Sequence, residues 1–281
     1  MYLYNNPQVD SIINLALSED IGTGDITTIS TIPADKTAHG RFVAKEDMVV
    51  CGLDLASYIF SKVDPKISFT PNLKDGDKAV KGDVIAVVDG NARNVLTGER
   101  TALNFMQRLS GIATRTAAAV AEVAGTKAKI TDTRKTTPGM RVLEKYAVRV
   151  GGGTNHRFNL SDGVLIKDNH IAVSGGIKNA VLAARNIIPH TLKIEVEVEN
   201  KEQLAEALDA GADIIMLDNM TNEMMKECVK IVNGKALVEA SGNMGEKKLR
   251  DVADTGVDII SIGALTHTIK SADISLKFSI S

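Results

Sequence analysis

From residue 128 onward the apolar positions alternate between two spacings. Short, largely apolar runs, four to seven residues long, are each followed by a polar stretch and then by apolar residues at helical spacing. The runs 128–132, 163–167, 192–198, 213–217, 236–239 and 258–262 predict strands. The segments 140–150, 177–187, 201–210, 222–232 and 246–254 predict helices, with a short helix after Gly263. Such alternation predicts a parallel sheet with right-handed crossovers that curls toward a barrel. Six units are legible where a complete (β/α)₈ barrel has eight, so the barrel is either incomplete or closed by segments that this pattern does not reveal, such as 102–124.

The first third is patterned differently. Residues 9–17 have helical spacing, 19–28 suit a tight loop in which Asp25 or Thr27 caps or bonds backbone, 40–52 read as one or two strands, and 53–63 as a short helix. In 73–91, Asp75-Gly76 and Lys81-Gly82 are turn signals and 83–88 is β-prone. This stretch resembles the half-barrel of biotinyl and lipoyl carrier domains, but no modifiable lysine stands in a hairpin. Residues 94–124 return to helical spacing, with Gly111 as a point of bending or breakage. The expected fold class is α/β. An N-terminal α+β domain, 1–108, precedes an open TIM-like parallel (β/α) barrel, 109–271, and the strand-like 272–281 is expected to return to the first domain.

Composition narrows the function. The chain has 281 residues and a formal net charge of −2, which disfavours a general nucleic-acid binder. The cysteines, Cys51 and Cys228, form no CxxC, consistent with a reducing, cytoplasmic setting. Residues 1–20 lack a basic start followed by an apolar run, and no segment approaches the ~20 apolar residues of a membrane span. Against this balanced background, 131–170 is dense in cations: Arg134, Lys135, Arg141, Lys145, Arg149, His156, Arg157, Lys167 and His170. A small anion is therefore expected there.

Polar residues gather at the carboxyl ends of the predicted strands, where barrel enzymes place their chemistry. The first two ends supply Arg134, Lys135 and Lys167. The third carries Glu195, Glu197 and Glu199 on one face by period-two geometry, and the fourth ends in Asp218. The fifth and sixth, Ser241-Gly242-Asn243 and Gly263-Ala264, place small residues ahead of a helix, the pattern that holds phosphate on backbone N–H groups. His267 lies one turn beyond Gly263, within reach of that phosphate or simply a cap. Carboxylates beside phosphate call for Mg²⁺ between them, and Glu197 and Asp218 are the metal candidates. Glu195 or Glu199 pairing with Lys135 or Lys167 is an equal alternative. Gly151-Gly152-Gly153 is not a dinucleotide fingerprint and is expected to be a flexible connector carrying Asn155, His156 and Arg157. A second anion, a carboxylate, fits against Arg134, Lys135, His156, Arg157 and Lys167.

These residues carry a resemblance. EDIGTGDITT, GERTALNFMQRLSGIAT, DTRKTTPGMRVLEKYAV, GGGTNHRFNLSDGVLIKDNH, IEVEVEN, IIMLDNM and EASGN, in this order from 12 to 267, resemble the quinolinate phosphoribosyltransferase family. Arg115 stands where that family more usually has an apolar residue. The resemblance implies transfer of phosphoribose from phosphoribosyl pyrophosphate (PRPP) to quinolinate with decarboxylation, giving nicotinate mononucleotide, pyrophosphate and CO₂ in NAD biosynthesis. It implies that Arg134, His156 and Arg157 grip the two ring carboxylates with Lys135 and Lys167 nearby. Glu197 and Asp218 would serve Mg²⁺ and ribose, and Ser241, Gly242, Gly263 and His267 the phosphate, with Lys135, Glu197 and Asp218 as catalytic residues. It also implies a homodimer or larger assembly in which Arg100 reaches the neighbouring subunit's site, and leaves Arg141, Lys145 and Arg149 as helix-surface charges. Nicotinate phosphoribosyltransferase on the same scaffold is the runner-up; a non-catalytic carrier module is the reading from another class.

Overall fold

The computed structural model describes residues 6–279. In chain order the elements are α1 (Pro7–Ile21), α2 (Ile26–Thr31), β1 (Thr37–Ala44), β2 (Met48–Val49), α3 (Leu53–Val63), β3 (Ser68–Pro71), β4 (Lys78–Ala79), β5 (Val84–Asn91) and α4 (Ala92–Glu122). There follow β6 (Lys129–Thr131), α5 (Arg141–Val150), β7 (Val164–Ile166), α6 (Asp168–Ser174), α7 (Ile177–Ile187), β8 (Ile194–Val198) and α8 (Lys201–Asp209). The last are β9 (Ile214–Asp218), α9 (Asn222–Val232), β10 (Leu237–Ser241), α10 (Leu249–Ala253), β11 (Ile259–Ser261), α11 (Ala264–His267) and β12 (Ile274–Ser279). No helix among the described residues is long and apolar enough to cross a membrane.

Two compact units emerge: residues 1–117, 137–152 and 269–281 form one, and 118–136 with 153–268 the other. In the first, an antiparallel sheet runs β12-β1-β5-β3. The C-terminal strand thus pairs with β1, Phe42 facing Leu276 in register; Ile280 of the expected strand lies outside the described residues. Phe42, Phe60 and Phe69 form an aromatic cluster with centroids 5.6–6.1 Å apart, and Phe42 and Phe60 are fully buried. Segment 73–91 contributes β4, paired with β2, and β5, a central strand of the sheet. The loop expected over 19–28 ends in helix α2, because the Asp25 carboxylate accepts the Thr28 N–H and caps it.

The boundary expected at 108/109 does not exist as a break. Helix α4 runs unbroken from Ala92 to Glu122, and Gly111 neither bends nor ends it. Any side chain at 111 would collide with the Lys270 carbonyl, so the glycine admits the returning chain, which is tied by Ala272 N–H to Gln107 O at 2.9 Å. Helix α5, expected to cover the barrel, belongs to the first unit instead. Tyr146 donates to Asp75 at 2.7 Å, and the buried Glu144 accepts from Arg108. Lys145, expected on the helix surface, is buried on this same helix.

In the second unit, six parallel strands run β6-β11-β10-β9-β8-β7. This is the cyclic order of a barrel opened between β6 and β7, and the six strands match the six legible repeats. Thr154 bridges to Thr131 on the outer side of β6. On β8, Ile194, Val196 and Val198 are fully buried beside α7 and α8, and alternation puts Glu195 and Glu197 on the other face.

Candidate active site

Apart from Arg100, the residues expected to form the site all lie in the second unit, on the strands or in the segments that follow them. Arg100 is exposed on α4 in the first unit. The GGG connector is closely packed where it begins. Any side chain at Gly151 would press on the Ala113 carbonyl and Thr116, and Gly152 is held at φ 87°. Beyond it, Thr154 N–H donates to Ile130 O at 2.8 Å. The segment carrying Asn155, His156 and Arg157 is therefore fixed against β6. Buried Asp132, at the end of that strand, accepts from the His156 N–H at 2.9 Å and from Asn155 Nδ2 at 2.5 Å.

Arg157 donates through Nη1 to Gly163 O at 2.9 Å. Its guanidinium is part-buried, and that burial together with the neighbouring Arg134 guanidinium lowers its pKa, partly offset by Glu195. The two arginines therefore stand close enough to repel, an arrangement that favours an anion between them. Lys167 is ion-paired with Glu197, joining the second strand end to the third. The polar residues after Lys167 are not a loop but the first turn of α6, where His170 Nδ1 accepts the Lys167 N–H at 3.1 Å. His170 is thus a cap of that helix.

The first strand end meets the sixth. The Thr266 hydroxyl donates to Lys135 O at 2.7 Å, and a Cβ on Gly263 would sit 2.9 Å from Lys135 Cδ and 3.2 Å from the His267 ring. Only glycine leaves this space open beside the Lys135 stem and the His267 imidazole. The fourth end meets the fifth: Asn219 N–H donates to Ser241 O at 3.1 Å, and any side chain on Gly242 would collide with Asn219. Ser241, Gly242 and Asn243 do not open a helix, contrary to expectation, since α10 begins only at Leu249. Gly242 and Asn243 both take positive φ, 89° and 53°, so an anion there would be met by loop N–H groups.

Glu197 and Asp218 present hard oxygen donors on adjacent strands and the same face. Glu197 lies beside Met216 in register, two residues before Asp218. Among the described residues, one Glu197 oxygen is held by Lys167 and one Asp218 oxygen by Asn219 at 2.7 Å, leaving the second oxygen of each. This donor set fits Mg²⁺, which takes one or two carboxylates and completes its shell with water and phosphate oxygens.

The sequence reading did not include Asp132, Glu195 and Glu239 among the site residues. His156 Nε2 lies 3.0 Å from Glu195 Oε2 and 3.8 Å from Glu239 Oε1. Burial and the facing Glu195 carboxylate raise the Glu239 pKa to about 7. The alternation of carboxylates in IEVEVEN was the available signal for Glu195, and for Glu239 it was its place at the end of the fifth strand, in EASGN.

With this geometry in place, comparison with known proteins is decisive. Models of the N-terminal and C-terminal domains of quinolinate phosphoribosyl transferase match residues 25–110 and 112–277. The chain belongs to the quinolinate phosphoribosyl transferase family. A probable nicotinate-nucleotide pyrophosphorylase [carboxylating] of Bacillus subtilis is 46% identical over 99% of this chain and 96% of its own length. A chloroplastic nicotinate-nucleotide pyrophosphorylase [carboxylating] of rice, Oryza sativa, is also 46% identical, over 95% of this chain and 76% of its own. The solved nicotinate-nucleotide pyrophosphorylase of Francisella tularensis superposes with a TM-score of 0.94 at 42% identity, covering 99% of both chains. The family boundary, between 110 and 112, falls inside α4 at Gly111, where the helix itself continues.

Proposed function

We infer that the chain is a decarboxylating quinolinate phosphoribosyltransferase. It transfers phosphoribose from PRPP to the ring nitrogen of quinolinate and yields nicotinate mononucleotide, pyrophosphate and CO₂, a step of NAD biosynthesis. The observation that carries the reading is the division of one strand-end surface into two halves. Arg134 and Arg157 supply cations to one half, Glu197, Asp218, Gly242 and Gly263 supply oxygen donors and open backbone to the other, and Lys135, beside Gly263, and Lys167, paired with Glu197, stand where the two meet.

Residue roles follow from this division. Arg134 and Arg157 grip the two ring carboxylates, each guanidinium offering a planar fork of donors, with Lys135, Lys167 and the His156 segment beside them. Ser241, Gly242, Asn243, Gly263 and His267 receive the phosphate of PRPP. Glu197 and Asp218 hold Mg²⁺ and face the ribose; bound there, Mg²⁺ offsets the charge of the pyrophosphate. Lys135, next to Gly263 and His267, stands where the first and sixth strands meet and stabilises the departing pyrophosphate. As the C–O bond to pyrophosphate lengthens, positive charge develops on the ribose, Glu197 and Asp218 stabilise it, and the pyridine nitrogen attacks. The ring nitrogen, now cationic, stabilises the electron pair left on the adjacent ring carbon when its carboxylate leaves as CO₂, and that carbon then takes up a proton from water. Prepositioned charges supply most of the rate in such a reaction.

The exposed Arg100 completes the quinolinate pocket of a neighbouring subunit in a homodimer. Inactive Arg100→Ala and Lys167→Ala chains, mixed under conditions of subunit exchange, are expected to regain partial activity; no recovery would make each site self-contained. The two cysteines, both free and buried, suit a cytoplasmic enzyme. The reaction is tested with PRPP, Mg²⁺ and carboxyl-labelled quinolinate. Release of labelled CO₂ with nicotinate mononucleotide is expected, and turnover of nicotinate alone would overturn the reading.

A further inference from the structure

The roles above leave Glu195 and Glu239 unused. Their side chains are only 5% and 2% exposed, and Oε1 of each has no hydrogen-bond partner. Both face His156, whose Nε2 is 3.0 Å from Glu195 Oε2. The other ring nitrogen decides the proton's place. His156 Nδ1 accepts the backbone N–H of Arg157 at 2.8 Å, so it presents a lone pair and carries no proton. A neutral imidazole with a bare Nδ1 is protonated at Nε2 and donates to Glu195. An imidazolium would set a second N–H against that of Arg157.

We propose that His156 works as a neutral positioning residue. Glu195, with Glu239 beside it, holds the Nε2–H tautomer, and the Nδ1 lone pair anchors the main chain of Arg157. The ring faces Glu195 on β8 and Glu239 on β10; Asp132 at the end of β6 accepts the His156 main-chain N–H, Lys167 acts on Glu239, and the Arg157 guanidinium neighbours Arg134 and Glu195. Among these, the carboxylates secure the ring and the guanidiniums meet the substrate. The cationic wall is therefore Arg134, Lys135, Arg157 and Lys167, without a charge on His156. The same tautomer separates this cluster from a metal site, although its three ligand atoms lie within 4.8 Å of one another. A metal-bound histidine donates through its second nitrogen, and here that nitrogen accepts.

The proposal rests on the phosphoribosyltransferase reading for the identity of the anion, but not for the tautomer, so the two can fail separately. The full-length enzyme, labelled with ¹⁵N-histidine and free of substrate, would be followed by long-range ¹⁵N–¹H correlation, with His156→Gln assigning the resonance. A neutral Nε2–H pattern between about pH 6 and 8 is expected. An imidazolium or an Nδ1–H tautomer at neutral pH would overturn the proposal, whatever the enzyme turns over. In kinetics, Glu195→Gln retains an oxygen that accepts the Nε2 proton and should keep the quinolinate KM within about threefold. Glu195→Leu should raise it roughly tenfold or more, with the PRPP KM unchanged. Equal damage by both substitutions would mean that Glu195 acts by its charge and not as an acceptor. Should Glu195→Leu fail to fold, the spectrum of the unmodified enzyme still decides.

Discussion

In the antiparallel sheet, Phe42 on β1 meets Phe60 and Phe69 edge-on in an aromatic cluster. In the parallel sheet, comparable positions on β8 and β10 hold Glu195 and Glu239, equally buried, each with an unpartnered oxygen. Both sheets obey the same period-two alternation. One spends its protected face on contacts that stabilise the fold. The other fills that face with groups that are costly to bury unless paired. Stability and chemistry are thus divided between the two units, and substitutions at the matching positions should have opposite signs.

The largest expected effect is at Phe42. Phe42→Ala should lower unfolding free energy by about 3–5 kcal/mol, read by urea denaturation, while substrate KM values below the transition stay unchanged. Next is Gly242, which combines φ of 89° with a collision against Asn219 for any side chain. Gly242→Ala should weaken PRPP binding by about 2 kcal/mol and lower the unfolding free energy by about 1–3 kcal/mol, since alanine is strained at that φ. The smallest effect is a gain. Glu239→Gln removes a buried ionisable group and should stabilise the protein by about 1 kcal/mol at neutral pH.

The sign of the Glu239 effect can be checked by pH. Its folded pKa, about 7, lies above the unfolded carboxylate value, so the native state binds the extra proton between the two. That contribution to stability is full below the unfolded value, about 4.3, and is lost as pH rises toward 7. Denaturation curves of the unmodified chain should fall across this window relative to Glu239→Gln. Parallel curves would mean that Glu239 is ionised in the folded state.

Legibility in the sequence followed periodicity. Helices α7 and α9 appear at the residues expected from apolar spacing, and all six parallel strands are present, because their patterns are long and locally determined. Short elements whose order comes from distant partners were not visible: α2 depends on a capping carboxylate, α6 on the His170 cap, and β3 on pairing with β5. Gly111 and Gly151 read as a breaker and a flexible connector, yet both mark close approach of another segment, which no local pattern encodes. At the candidate site, charge density and strand-end position pointed to the cations and to the Glu197–Asp218 pair, which the fold places on adjacent strands. The contacts around His156 join three strands far apart in sequence, so its buried partners became visible only in the fold.

The most direct test of the divided strand-end surface is a cross-titration by calorimetry of two variants against both substrates. Arg134→Ala should weaken quinolinate binding by about 2–5 kcal/mol and leave PRPP binding nearly unchanged. Gly242→Ala should do the reverse. Equal weakening of both ligands in either variant would contradict the separation of a dicarboxylate wall from a phosphate half.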